Sequence, residues 1–230
     1  MTVADVLAED MDASRENRRQ LRRDIVQALY DTGGGHYGGC LSVVDILSVL
    51  YREVARVNPR QPLDPERDRV VLSKGHAALA LYAVLRSEGY FRWPLSDYAQ
   101  YGSPLEGHPD MTTLPGVDFS TGSLGQGLSA GVGMALGLRG QPARTWVVLG
   151  DGECQEGHVW EAAMLAWTCR LGRLVAIVDC NGHQEWGHAR DDGQVPGEPV
   201  PEMAAKWAAF GWRVVACDGH DPVALRSTLS

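Results

Sequence analysis

The chain has 230 residues, 44% of them hydrophobic, enough for one large globular domain with a sizeable core and less naturally for two. Its formal net charge of −8 argues against nucleic acid or an anionic membrane surface as the main partner. No run approaches the roughly 18 apolar residues of a membrane span, the polar, acidic stretch 1–17 is unlike a secretory leader, and the five scattered cysteines suit a reducing, cytoplasmic setting better than a disulfide framework.

The expected elements alternate between helix and strand. Arg15 to Tyr30 has Leu21, Ile25, Ala28 and Leu29 on one apolar face and reads as a helix. Its arginines (Arg15, Arg18, Arg19, Arg22, Arg23) read as a solvated or subunit-facing surface. The glycine-rich loop Gly33 to Gly39 ends it, and a second apolar helix is expected from Ser42, as N-cap, to about Val54. A proline-rich connection, 58–65, leads to a short strand at Arg69–Leu72, whose turn Ser73-Lys74-Gly75-His76 opens a helix to about Glu88. After a Gly- and Pro-rich loop, Leu124 to Leu138 reads as a helix with glycines at 125, 127, 131, 133 and 137, a density that suggests close backbone approach. Strand 145–149, helix 158–170 and strand 174–179 make a β-α-β unit with a right-handed crossover. A long polar loop over 180–200, helix 202–209, strand Trp212 to Ala216 and a short helix Pro222 to Leu229 complete the chain. The expected fold class is α/β, a three-layer parallel sheet with helices on both faces and no internal domain boundary.

Three groups of residues carry candidate chemistry. Gly150-Asp151-Gly152 follows one apolar strand and Asp179-Cys180-Asn181 the next, so Asp151 and Asn181 emerge together at the carboxyl edge, where open parallel sheets bind ligands. One carboxylate and one amide oxygen suit Mg²⁺ or Ca²⁺ shared with a diphosphate. Asp151 alone reads equally well as a helix-capping aspartate. His36, His76 and His108 each lie at a turn. Singly each reads as a surface histidine; together they suggest a funnel able to hydrogen-bond sugar hydroxyls, phosphate or a developing alkoxide. The segment 120–127, Ser-Thr-Gly-Ser-Leu-Gly-Gln-Gly, lets backbone N–H groups approach an anion or a flat ring. It has neither the P-loop lysine nor the Gly-x-Gly-x-x-Gly spacing of a dinucleotide site.

Taken in order, Gly33 to Tyr51, Ser73-Lys74-Gly75-His76-Ala77, Glu106-Gly107-His108-Pro109, Gly122 to Gly127, Gly150-Asp151-Gly152, Glu156-Gly157, Trp160-Glu161-Ala162, Asp179, Asn181 and Gln184 resemble the N-terminal part of transketolase over roughly residues 15 to 221. The pattern is most similar to the stand-alone N-terminal subunits of split transketolases. The resemblance implies a thiamine diphosphate-binding fold: one diphosphate-binding domain over 1–230 that stops short of the family's final strand. It implies thiamine diphosphate with Mg²⁺ (or Ca²⁺ or Mn²⁺), held by Asp151, Asn181 and the backbone carbonyl of His183, with Gly150, Gly152 and Glu153 beside the diphosphate. His76 would lie near the cofactor phosphates and the reacting centre. His36 and His108 would contact the donor sugar, and Gly122, Ser123 and Leu124 would line the thiamine. Glu156 and Glu161 match glutamates of a subunit interface. The implied partner is a C-terminal-type subunit carrying the pyrimidine-binding domain and its activating glutamate, in an α₂β₂ assembly that moves a two-carbon ketol unit from a ketose to an aldose. Trp186 stands where the family has a small or acidic residue, which together with the early stop speaks against ordinary pentose-phosphate substrates and leaves open transfer to a carrier-protein-bound or modified acceptor in specialised metabolism; a non-catalytic scaffold subunit is a separate alternative.

Overall fold

The computed structural model describes residues 3–184 and 202–230. The first helix, α1 (Val3–Asp31), is longer than its apolar stripe. Leu21, Ile25, Ala28 and Leu29 are all buried, as their i, i+4, i+7, i+8 spacing requires. It ends where Gly33 takes a positive φ of 86° and the Gly34 N–H bonds back to the Leu29 carbonyl at 2.8 Å, the usual glycine-terminated helix end. The second helix, α2 (Tyr37–Val49), is buried along most of its length and closes in a widened turn over Leu50–Val54.

Three strands, β1 (Arg69–Leu72), β2 (Thr145–Gly150) and β3 (Leu174–Asp179), form a parallel sheet in the order β1-β2-β3. Strand side chains alternate between faces, and here the alternation builds two cores. Val70, Leu72, Trp146 and Val148 pack with α1, α2, α3 (Ala78–Ser87) and, from the far end of the chain, Leu225. Val71, Val147, Leu149 and Leu174 face α4 (Gln126–Gly137), α5 (Gly157–Thr168) and α6 (Met203–Ala209). The fold is therefore the expected three-layer α/β sandwich. Helix α5 supplies the crossover that parallel β2 and β3 need. Helix α6 is clamped onto it by aromatic rings, with Trp160 stacked on Phe210 at 5.3 Å and packed against Trp207 at 5.4 Å. Asp221 caps the last helix, α7 (Pro222–Leu229), by accepting the Val223 and Ala224 N–H groups. No helix among the described residues is long and apolar enough to cross a membrane.

Two expectations are corrected. Ser42 does not cap α2: the helix begins at Tyr37 and runs through Gly38 and Gly39, although glycine disfavours helix by about 1 kcal/mol. Packing overrides that preference, because a Cβ at Gly39 would lie 2.9 Å from the His76 ring. Trp212 to Ala216 is not a strand. The segment has strand-forming residues but no ladder in the described sheet, and Val214 and Val215 remain 40% and 58% exposed. Trp212 is instead tied to α5 through Nε1 donating to the Ala163 carbonyl at 3.1 Å. The loop expected over 180–200, including Trp186, lies outside the described residues from 185 onward.

The glycines of α4 divide by face. A Cβ at Gly127 would sit 2.8 Å from the Ser73 Cα, and one at Gly131 would collide with Val147, whereas Gly133 and Gly137 face open space. The close approach expected from the sequence thus holds at Gly127 and Gly131 on the sheet side and at Gly125, where a Cβ would lie 2.9 Å from the Glu156 Cβ, but not at Gly133 or Gly137. Gly127→Ala should destabilise the chain by about 1–3 kcal/mol, the range for overpacking. Gly133→Ala should stabilise it by about 0.5–1 kcal/mol through helix propensity. Urea unfolding midpoints of the two variants check both signs.

Candidate functional site

The carboxyl ends of the three strands open into one crevice of about 1190 Å³. Its floor follows from register: Gly150 pairs with Asp179, so Asp151 and Asn181 leave adjacent strands beside one another. Asp151 caps the short 3₁₀ turn Gly152–Gln155, its Oδ1 accepting the Gly152 N–H at 2.8 Å. Its Oδ2 accepts the Gly182 N–H at 2.7 Å, across the strand boundary. The capping and the site readings of Asp151 are therefore compatible. Only 2% of the residue is exposed, and burial pushes its carboxyl above the usual range, against the pull of those two N–H groups. Asn181 donates from Nδ2 to Ser42 Oγ at 3.2 Å and accepts the His183 N–H on Oδ1 at 2.9 Å. Among the described residues no three His, Cys, Asp or Glu side chains converge on one point; the donors gathered here are a carboxylate and an amide.

Beneath the floor is a charge pair to which the sequence reading assigned no role. Lys74, 1% exposed, donates to Asp179 Oδ2 at 2.7 Å. The same oxygen accepts the Ser42 hydroxyl at 2.6 Å. The sequence signal was faint: a lysine and an aspartate each just past an apolar strand, 105 residues apart. Glu153 is also turned inward, accepting from Ser73 Oγ, from the Gly125 N–H at 2.9 Å and from the Gly150 N–H at 3.1 Å. Its carboxylate ties the β2 end to the start of α4.

All three candidate histidines line the crevice. The His36 and His76 rings lie 5.0 Å apart, and the Tyr82 hydroxyl donates to the His108 carbonyl at 3.0 Å. Burial, reinforced by Lys74 and then by His36 and His108, pulls the His76 imidazole down to about 4. Gly122 presses its backbone on Gly75, where a Cβ would come within 2.7 Å of the Gly122 nitrogen. Gly122, Leu124, Gly150, Gly152 and Glu153 join the lining, as do Asn181 and His183; Ser123 is exposed and lies outside it.

Two further lining residues, Arg22 and His220, were missed. Arg22 donates to both oxygens of buried Asp45, and His220 Nδ1 lies 2.9 Å from Asp45 Oδ2. Arg18 reaches the same carboxylate at 3.8 Å. Burial opposes the charge on Asp45, but Arg22 and His220 hold its carboxyl below the usual range. The reading of the α1 arginines as a solvated or subunit-facing surface therefore fits Arg15, Arg19 and Arg23, which are exposed, and does not fit Arg18 and Arg22, which turn inward to Asp45. A buried carboxylate on α2 draws those two inward.

Comparison with known proteins agrees with this geometry. Residues 12–230 match the family of the transketolase thiamine diphosphate-binding domain. The chain belongs to that family. It is 44% identical over 204 residues to the 6-deoxy-6-sulfo-D-fructose transketolase subunit SqwG of Clostridium sp. (strain MSTE9), covering 87% of this chain and 72% of that protein. To one of the subunits of the apulose-4-phosphate transketolase of Phocaeicola vulgatus it is 39% identical over 211 residues, covering 90% and 72%. The structure of Pichia stipitis transketolase in complex with sedoheptulose-7-phosphate superposes with a TM-score of 0.83 at 30% identity, over 94% of this chain and 33% of that one. The chain thus spans about a third of that transketolase.

His76 gives a pH test. An unfolded histidine takes up a proton near 6.5, the folded ring only near 4. Between those values the unfolded chain binds more protons, so this group's contribution to stability is complete above about 6.5 and is lost as pH falls toward 4. The His76 ring resonance should titrate with a midpoint near 4 by NMR. His76→Gln should flatten the acid limb of stability over that window. A wild-type midpoint near 6.5 would mean that the ring is solvated.

Proposed function

We propose that this chain is the diphosphate-binding subunit of a split transketolase, holding thiamine diphosphate through a divalent cation and acting with a second subunit. The observation that carries the reading is Asp151, a carboxylate 2% exposed that forms no ion pair among the described residues and stands beside the Asn181 amide in a histidine-lined crevice. A charge so buried is costly unless a cation compensates it. The donor chemistry suits the group: hard oxygens for Mg²⁺, Ca²⁺ or Mn²⁺, and glycine backbone at Gly150 and Gly152 where a diphosphate needs close approach.

In this reading Asp151, Asn181 and the His183 carbonyl hold the metal, with Gly150, Gly152 and the Glu153 backbone beside the diphosphate. Gly122, Ser123 and Leu124 line the thiamine, Leu124 as its apolar contact. Thiamine diphosphate, when bound, supplies the electron sink for cleaving a ketose and moving its two-carbon ketol unit to an aldose. The protein's own part is to place and to protonate. His76, neutral at pH 7 because its folded value is about 4, can accept as well as donate a hydrogen bond near the phosphates and the reacting carbon. His36 and His108 address the hydroxyls of the donor sugar and can move a proton at its oxygens. The two subunit relatives are named for a sulfonated and a phosphorylated sugar, which supports a sugar substrate with an anionic group over a carrier-bound acceptor.

Because those relatives are named as subunits, we place the pyrimidine-binding domain on a partner in an α₂β₂ assembly. Glu156 and Glu161, exposed at the start of α5, face that partner. The five free thiols suit a reducing, cytoplasmic setting.

Calorimetry with thiamine diphosphate and Mg²⁺, with and without the partner subunit, tests the reading. Wild type should bind in a metal-dependent manner, and Asp151→Ala should lose that dependence while keeping its circular dichroism spectrum. Ketol transfer should appear only with the partner present. Absence of binding by wild type in either state would leave the chain a scaffold, and robust transfer by the chain alone would refute the need for a partner.

A further inference from the structure

We propose that Ser42 is a positioning residue that, together with the His183 N–H, fixes which end of the Asn181 amide is offered to a cation, and thereby raises the site's affinity for it. The inference rests on the reading of Asn181 as a metal ligand. An amide is nearly symmetric in shape but not in function: its oxygen can coordinate a cation and its NH₂ repels one. Something must therefore hold Asn181 the right way round.

The orientation follows from a chain of hydrogen bonds in which each donor is forced. Lys74 can only donate, and it donates to Asp179 Oδ2 at 2.7 Å. A carboxylate can only accept, so the 2.6 Å contact between Ser42 Oγ and the same oxygen takes the single hydroxyl proton. The Gly39 carbonyl, at 3.2 Å, is the weaker competitor for that proton, being neutral and farther away. Lys74 Nζ also lies 3.5 Å from the hydroxyl oxygen, on the side of its lone pairs. With its proton committed, Ser42 can only accept from Asn181, and the group 3.2 Å away is Nδ2. The amide oxygen is thereby turned to the opposite side. There it accepts the His183 N–H at 2.9 Å and keeps a second lone pair for a cation. A flipped amide would set its NH₂ against both the His183 N–H and the metal.

The position of Ser42 makes this possible. It sits in the sixth place of α2, so its direction is held by a packed helix and not by a loop. Val43, Val44, Ile46 and Leu47, its neighbours in the helix, are buried in the core.

The test is Mn²⁺ binding to the full chain with thiamine diphosphate, followed by electron paramagnetic resonance. Ser42→Ala should weaken Mn²⁺ binding about 10-fold, the lower end for losing a group that orients a metal ligand, and Ser42→Thr, which keeps the hydroxyl, should restore it. The decisive comparison is made on Asn181→Asp, because a carboxylate has no wrong end. Adding Ser42→Ala to Asn181→Asp should cost no further affinity. An equal loss in both backgrounds would show that Ser42 acts through packing or through the Lys74–Asp179 pair, and would overturn the proposal. So would full affinity in Ser42→Ala while Asp151→Ala abolishes binding, which leaves the cofactor reading standing. No Mn²⁺ binding by wild type would instead overturn that reading and this inference with it.

Discussion

Lys74 leaves the end of β1 and Asp179 closes β3, and the two meet across the carboxyl end of the strand between them. A lysine 1% exposed is tolerable only with an opposite charge at contact distance, since an unpaired buried charge costs several kcal/mol. The pair therefore constrains everything that can lie over it. The Lys74 side chain passes close by the end of β2: its Cβ lies 3.8 Å, an ordinary contact distance, from where a Cβ on Gly150 would be. The Ser73 N–H bonds to the Val148 carbonyl at 2.8 Å and brings the β1 turn over the same strand. Gly150 pairs in register with Asp179, so Asp151 and Asn181, which follow, leave adjacent strands into one crevice.

The same pair separates the electrostatic roles of the acids around it. Asp179 is compensated by Lys74, and Glu153 is surrounded by neutral donors from Ser73, Gly125 and Gly150. Both are consumed by the structure. Among the described residues Asp151 receives two backbone N–H groups and no cation, so it alone of the three is left without a compensating charge or a full set of donors. Lys74 reaches the histidines as well. After burial it is the largest influence keeping His76 unprotonated. One buried ammonium thus leaves a single uncompensated carboxylate on the floor and a neutral imidazole on the wall, a combination suited to binding a metal–diphosphate and handling protons beside it.

The β2–α5–β3 unit was legible in the sequence because its signals are local: two continuous apolar runs, a crossover of helical length and an acid or amide just past each run. The grouping of His36, His76 and His108 could be inferred as well, because each falls at a turn from which its ring can point into a crevice. The misreadings share one cause. Ser42 looked like a helix start because serine is a good N-cap and glycines precede it, yet those glycines are helical so that Gly39 can pass beneath the His76 ring. Val214 and Val215 have strand propensity, but a strand exists only with a ladder partner. The pairings Lys74–Asp179 and Arg22–Asp45 join residues 105 and 23 positions apart, and no spacing rule connects them. Local chemistry was readable, and long-range charge pairing was not.

Helix α2 shows how those long-range pairs become a site. His36, just ahead of its first turn, then Gly39, Ser42 and Asp45 follow one another at steps of three, each turned about 60° around the helix from the one before. His36 meets His76, Gly39 admits the ring, Ser42 reaches Asp179 and Asn181, and Asp45 gathers Arg22 and His220. Val43, Val44 and Leu47 of the same helix are fully buried and fix it in the core. A side chain on a packed helix is located more closely than one on a loop. Loops bring Asp151 and Asn181 to the crevice, and α2, through Ser42 and Asp45, bears on how Asn181 is turned and where the charges around it settle. Substitution of Ser42 should therefore be felt at the Asn181 amide before it is felt in the stability of the fold.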